Sequence, residues 1–383
     1  LKIAMICTEK LPVPPIAGGA VQIYIEGILP YLSWLNDITV YGIQYEGLAS
    51  EETKYDVRYI RLPAKTASEY VKNLRAALQA EDYDLIHVFN RPLWILSLSE
   101  ALTDAKFSLS LHNEMFHPEK ISNHDAVKCI ERVEFINTVS KFIADSVIKS
   151  YPMAAPKLNV VYSAADISLY SPPWTERGIL NKRLLKERYG LKGYKTVLFV
   201  GRLSVKKGVH ILMKAMKRVM LDHPKTALVI VGSKWYGGNK TDDYTRSLHT
   251  LSKELAGPVI FTGFVPPSQI PALYNLGDIF VCPSQWDEPL ARVHYEAMAS
   301  GLPVITTNRG GNSEVVRGYG NGRVINDYNN PDAFASCINY LLDNPQKRTE
   351  MGHKGRKCVE ERFNWERVSK EVLKTNIPRK TIT

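Results

Sequence analysis

The chain has 383 residues, 45% of them hydrophobic and 23% charged. That excludes a disordered or fibrous protein and exceeds what one core ordinarily serves, so two globular domains are expected. The formal net charge of +10 favours anionic partners, but no basic cluster is interleaved with aromatics, which sets nucleic acid aside.

In chain order, Lys2-Ile3-Ala4-Met5-Ile6-Cys7 opens the pattern and reads as a buried strand, Ile3–Cys7, too short for a signal core. No apolar run reaches the roughly 18 residues that span a bilayer, so a cytoplasmic protein is expected. A membrane surface is a candidate partner on charge alone, with no amphipathic anchor to support it. The loop that follows contains Ala17-Gly18-Gly19-Ala20 and leads into a helical stretch, Val21–Leu32. Two glycines at a helix start let the backbone approach a ligand closely. The fingerprint Gly-x-Gly-x-x-Gly is absent there, which argues against a nicotinamide enzyme.

Strands are expected at Ile38–Tyr41, Leu85–Val88, Phe107–Leu111, Phe135–Val139 and Leu158–Val161, with helical stretches such as Ser68–Ala80 between them. This alternation implies a parallel sheet with crossover helices. Asp82-Tyr83-Asp84 has the spacing of a metal-binding Asp-x-Asp motif but directly precedes a strand, the wrong end for a ligand, and reads as structural. The five cysteines form no Cys-x-x-Cys pair and are odd in number, so buried thiols are expected rather than disulfides or zinc.

Ser171-Pro172-Pro173-Trp174 breaks the pattern, and Glu176–Tyr189 shows no strand. A second series then begins with Thr196–Val200, Ala227–Val231, Val259–Thr262, Ile279–Val281 and Val304–Thr306. The restart predicts two Rossmann-like domains, residues 1–170 and 171–360, facing each other across a cleft lined by the carboxyl ends of their strands. Asp242-Asp243, after Trp235-Tyr236-Gly237-Gly238, reads as a solvated loop. The last helical stretch, Trp365–Thr375 within residues 361–383, is free to pack back on the first domain.

Gly201-Arg202-Leu203-Ser204-Val205-Lys206-Lys207-Gly208 follows a strand and precedes a helix. Helix N-termini favour anions, so an arginine and two lysines there call for a strongly negative ligand such as a diphosphate. Arg202 and Lys207 are the candidates, with Lys206 a weaker one. Downstream, Glu288 and Glu296 bracket Pro289-Leu290-Ala291-Arg292-Val293-His294-Tyr295, with Gly301 beyond. Proline just inside a helix start and glycine just past its end are the expected punctuation. Were the whole stretch helical, the two carboxylates would lie about 12 Å apart along the axis, comparable to the two sugars of a nucleotide-sugar. Carboxylates accept hydrogen bonds from vicinal hydroxyls. His112, at a strand's carboxyl end, is a candidate as well, whereas His87 and His294 read as packed.

These motifs, followed by Gly263-Phe264-Val265, Gly301-Leu302-Pro303-Val304-Ile305 and Gly310-Gly311-Asn312-Ser313-Glu314-Val315-Val316, resemble the family 4 retaining glycosyltransferases over essentially the whole chain. The stretch Thr8-Glu9-Lys10-Leu11-Pro12-Val13-Pro14 is similar to that of spore-coat-associated bacterial members, which adds the spore coat as a location. The resemblance implies the GT-B fold, two Rossmann-like domains with a C-terminal helix crossing back to the first. It also implies transfer of a hexose from a UDP- or GDP-linked donor, without cofactor or metal, to a sugar, lipid or protein-glycan acceptor. Arg202 and Lys207 would hold the diphosphate, helped by backbone around Gly18, Gly19 and the Leu290, Ala291, Arg292, Val293 turn. Glu288 would bind donor-sugar hydroxyls, Glu296 the ribose, Phe264 and Val265 would border the base, and His112 would sit under the sugar.

Three departures from the family pattern stand out. Leu290-Ala291 replaces Phe-Gly, Tyr162-Ser163-Ala164-Ala165-Asp166 lies where the family often has Asn-Gly, and Asn113 follows His112. Two further readings stay open. One is a nucleotide-sugar epimerase, which needs no acceptor. The other is a catalytically idle structural component of the spore coat, favoured by Ala291 and opposed by intact Arg202, Lys207, Glu288 and Glu296.

Overall fold

The computed structural model describes residues 1–234 and 242–373. The Trp235-Tyr236-Gly237-Gly238 stretch and the end of the expected Trp365–Thr375 helix lie outside the described residues. The chain forms two compact units, residues 1–163 with 365–383, and residues 164–364. Residues 164–170 go with the second unit because its backbone is tied there: Ala165 N–H donates to the Phe363 carbonyl, and Arg356 donates to the carbonyls of Tyr170 and Ala299.

The first unit runs β1 (Lys2–Ile6), α1 (Ala20–Leu32), β2 (Asp37–Ile43), β3 (Glu51–Lys54), β4 (Val57–Leu62), α2 (Ala67–Gln79), β5 (Leu85–Phe89), α3 (Pro92–Ser99), β6 (Phe107–Leu111), α4 (Asn123–Arg132), β7 (Val133–Thr138), α5 (Lys141–Ser150) and β8 (Leu158–Val160). Its eight-stranded sheet has the order β3-β4-β2-β1-β5-β6-β7-β8. All pairs are parallel except β3–β4, a hairpin whose turn residues Tyr55 and Asp56 both have positive φ. The central strands β1, β5 and β6 are buried almost throughout, as a parallel sheet covered by helices requires. Thr66, Ser122 and Ser140 cap α2, α4 and α5 through their hydroxyls, satisfying N–H groups that have no partner inside the helix.

The second unit runs α6 (Glu176–Arg188), β9 (Lys195–Val200), α7 (Val209–Asp222), β10 (Thr226–Val231), α8 (Asp243–Ser252), β11 (Val259–Phe261), α9 (Ile270–Leu273), β12 (Ile279–Cys282), α10 (Val293–Ala299), β13 (Val304–Thr307), β14 (Gly322–Ile325), α11 (Pro331–Asp343) and α12 (Pro345–Glu361). Its strands order as β11-β10-β9-β12-β13-β14, and all the strand pairs are parallel. Helix α6 is tied to the sheet by Lys182 and Lys186, whose ammonium groups lie 2.9 and 3.0 Å from the Asp278 carboxylate.

The final helix, α13 (Trp365–Val372), returns to the first unit and packs on α1. A methyl on Gly27 would come within 2.3 Å of the Trp365 ring, so α1 is narrow where the indole lies. Trp365 meets Tyr24 edge to face at 5.8 Å, and Asn137 donates to the Val372 carbonyl at 2.9 Å. Asp242 caps α8. Asp84 accepts from the Lys2 backbone N–H at 2.8 Å, a strand-start role. No helix among the described residues is long and apolar enough to cross a membrane.

Candidate functional site

Each sheet reverses direction once. In the second, the chain leaves β9 for β10 and β11, then reappears on the other side of β9 as β12, β13 and β14. The loops after β9 and β12 therefore part at the carboxyl edge, where open α/β sheets collect ligands.

The loop after β9 contains Gly201, exposed Arg202, buried Leu203 and a single helical turn, Val205–Lys207, that ends at Gly208 with φ +73°. A Cβ on Gly208 would approach the Pro283 carbonyl to 1.9 Å. Only glycine accepts both that φ and that contact, so the loop lies flat against the segment after β12. The Gln285 N–H fastens it by donating to the Lys206 carbonyl at 2.8 Å. This brings the Lys207 ammonium into an ion pair with Glu288.

Glu288 is 6% exposed. Its other oxygen accepts from the Ser284 hydroxyl at 2.8 Å. Burial pushes its carboxyl up, but the Lys207 ammonium and the Ser284 hydroxyl outweigh that and hold it below the usual range.

The helix bearing Glu296 begins at Val293, not beside Pro289 as the sequence suggests. The reason is competition for backbone groups. The Glu288 carbonyl accepts from Gly311 N–H at 2.8 Å, and the Ala291 N–H donates to Asn312 Oδ1 at 3.0 Å. Gly310 permits this approach: its φ is +56°, and a Cβ would stand 2.1 Å from the Glu288 carbonyl oxygen. His294 adds a further tether. Its Nδ1 bonds the Ala291 carbonyl at 2.8 Å, so Nδ1 carries the proton and Nε2 accepts from the Thr306 hydroxyl at 2.8 Å. Burial lowers the His294 pKa to about 4, leaving the ring neutral. Among the described residues only Tyr55, Asp56 and Asn90 have positive φ without being glycine. Ala291 thus occupies backbone open to any residue.

Glu296, on α10, accepts from the Tyr274 hydroxyl at 2.8 Å and lies 3.7 Å from the Arg292 guanidinium. Phe264 and Val265 are half-buried after β11. Gly263 bridges Gly232, and a Cβ on Gly232 would meet the Gly201 carbonyl at 2.1 Å. The three glycines let the ends of β9, β10 and β11 close up, which puts Arg202 and Phe264 on one edge of the sheet.

The other predicted residues, Gly18, Gly19 and His112, belong to the first unit, whose sheet reverses between β1 and β5. Gly18 and Gly19 have φ of +82° and +106°. His112 is buried after β6, its ring edge to face with Tyr24 at 4.7 Å, and its backbone N–H donates to Asn90 Oδ1 at 3.0 Å. Asn90 itself holds φ +58°. Arg91 forks onto Glu9, with both bonds at 2.9 Å. His87 is buried between the hydroxyls of Ser108 and Ser110, and burial lowers its pKa to about 3. Among the described residues no three His, Cys, Asp or Glu side chains gather as a metal site would need.

Of the residues singled out in the sequence, Lys207 and Glu288 are brought together and Glu296 bonds Tyr274 instead; Ser284, Tyr274 and Asn312 were not foreseen, and His294 was read only as packed. Asn312 did leave a signal, lying two residues after Gly310 in a motif already singled out.

The family model described as "Glycosyl transferases group 1" matches residues 181–358, and "Glycosyltransferase Family 4" matches residues 35–169. Spore coat protein SA of Bacillus subtilis is 44% identical over 97% of this chain and 98% of its own length. The chain is a family 4 glycosyltransferase. A further relative of this glycosyltransferase is the GDP-mannose-dependent alpha-(1-6)-phosphatidylinositol monomannoside mannosyltransferase of Mycolicibacterium smegmatis, 27% identical over 92% of this chain and 93% of its own. Among solved structures, Anabaena HepE in complex with UDP superposes with a TM-score of 0.78 at 21% identity, covering 97% of this chain and 98% of its own. That likeness bears on the fold, which is GT-B.

Proposed function

We propose that this glycosyltransferase moves a hexose from a UDP- or GDP-linked donor to an acceptor hydroxyl with retention of configuration and without a metal. The observation that carries the reading is the meeting of Lys207 and Glu288 at the β9/β12 reversal of the second sheet. Lys207 and Arg202 hold the diphosphate, assisted by the backbone N–H groups of Leu290, Arg292 and Val293; that of Ala291 is taken by Asn312 Oδ1. Glu288 accepts from donor-sugar hydroxyls, Glu296 from the ribose diol, and Phe264 and Val265 border the base. HepE's UDP and UDP-glucose complexes support a uridine donor, and the mannosyltransferase relative's name supports a guanosine one.

In the transfer, the bond from the anomeric carbon to the phosphate oxygen breaks as the acceptor oxygen bonds to the same carbon from the same face. The acceptor proton passes to the departing phosphate oxygen. The cations stabilise that leaving group as its charge develops, which is where an electrostatic site contributes most. In the first unit, the carboxyl edge of the sheet is assigned to the acceptor, the role that the family resemblance gives this domain. The name of the 44% relative, a spore coat protein, supports work in the spore coat.

Thermal unfolding with UDP, GDP, UDP-glucose and GDP-mannose, each with a chelator present, tests the reading, because ligand binding raises apparent stability by mass action. At least one should raise the melting temperature, and that donor should be slowly hydrolysed. No shift from any of the four would overturn it.

A further inference from the structure

On the donor-site reading, Lys207 bonds the diphosphate and Glu288 bonds the sugar, yet in the structure the two bond each other. They differ in freedom. Glu288 is fixed: one oxygen takes the Ser284 hydroxyl, its backbone carbonyl takes Gly311 N–H, and its side chain is 8% exposed. Lys207 carries a flexible stem and is 18% exposed, so its ammonium can be re-aimed.

When a diphosphate draws the ammonium away, Glu288 stays behind as a buried carboxylate without its counter-charge, which is costly. An intact donor compensates, because vicinal sugar hydroxyls donate to the vacated oxygen. A nucleoside diphosphate that has lost its sugar has no such hydroxyls to offer. The same phosphates therefore bind with a penalty once the sugar has gone.

We propose that the Lys207–Glu288 pair is a latch that discriminates the intact donor from the spent nucleoside diphosphate. It makes the free diphosphate the weaker ligand and hastens its departure after transfer. Glu288 so acts twice, as acceptor for sugar hydroxyls and as competitor for the phosphate-binding lysine.

Calorimetry with UDP, UDP-glucose, GDP and GDP-mannose on wild type, Glu288→Gln, Glu288→Asp and Lys207→Met tests the latch. Glu288→Gln frees the lysine and should tighten binding of the preferred nucleoside diphosphate on the order of tenfold. It should not tighten the matching nucleotide-sugar, so the preference for the donor collapses. Glu288→Asp withdraws the charge by one methylene and should move the same way by less, and it decides the matter if Glu288→Gln does not fold. Lys207→Met should lose both ligands. Nucleoside diphosphate binding that the Glu288 variants leave unchanged or weaken overturns the latch alone. Silence from all four nucleotides with the wild type overturns the donor-site reading and the latch with it.

Discussion

At the β9/β12 reversal the ion pair is a single-point one. Lys207 offers a single ammonium to Glu288, and exposed Arg202 and Lys206 lie in the same loop. At the β1/β5 reversal of the first unit the pair is forked: half-buried Arg91 and Glu9 are joined by two parallel bonds beside exposed Lys10, and the buried polar side chains, Thr8, Gln22, Asn90 and His112, are not carboxylates or ammonium groups. A forked guanidinium–carboxylate pair is the more rigid arrangement, whereas an ammonium on a long stem changes partner readily. On the proposed reading, the same topological device serves an anion that comes and goes in one unit and a neutral, hydroxyl-rich acceptor in the other.

The largest effect should break this comparison if it is wrong. Lys207→Ala should weaken the preferred nucleoside diphosphate by about a hundredfold or more, the scale of a lost charge-assisted contact to phosphate. His112→Ala should leave that affinity within about threefold while lowering turnover, since a histidine is one aid among several to the reaction. Calorimetry and initial rates on the two variants check this. Equal losses of affinity in both would erase the distinction between the units.

How much of this was legible in the sequence depends on how local the signal is. The central strands were, because parallel sheets buried on both faces leave apolar runs: β6 begins and ends where expected, and β5 and β9 differ by one residue. The β3–β4 hairpin was not, since Tyr55-Asp56 takes the positive φ values of a tight turn without the glycine that usually announces it. Strand β14 was missed as well, being short, half-buried and opened by Gly322. The late start of α10 could not be read, because what delays it is Gly311 and Asn312, some twenty residues downstream. The same holds in the site. Lys207, Glu288 and Glu296 stand in recognisable spacings, while Ser284, Tyr274 and His294 matter through contacts made only in the fold.

A second effect, on stability rather than affinity, compares two fully buried histidines, His87 in the first unit and His294 in the second. His87 titrates near 3 and His294 near 4, both lowered by burial. The unfolded chain would bind protons at about 6.5, so between that pH and the folded values it binds more than the native state. Stability is therefore fully present above about pH 6.5 and falls as the pH drops toward 4 and then 3. Each histidine contributes on the order of 3–5 kcal/mol across its window, given about 1.4 kcal/mol per unit. Denaturant unfolding at pH 7, 6, 5 and 4 should show the decline, and His294→Asn should roughly halve it, the His87 share remaining. A stability that holds level from pH 7 to 4 would mean that neither ring is kept neutral by the fold.

The smallest effect sharpens the role of Glu296. Its oxygen takes the Tyr274 hydroxyl at 2.8 Å, and in the first unit the hydroxyls of Tyr41 and Tyr83 bond each other at 2.9 Å. Removing either bond, as Tyr274→Phe or Tyr41→Phe, should cost about 1 kcal/mol of stability, the usual net worth of a buried hydrogen bond. On nucleotide affinity the two should part. Tyr274→Phe leaves Glu296 less well aimed and should weaken the preferred nucleotide by about three- to tenfold, while Tyr41→Phe should not move it. Calorimetry beside denaturant melts separates the two quantities. If both variants lose stability alike and neither loses affinity, Glu296 is a packing residue and the ribose is held elsewhere.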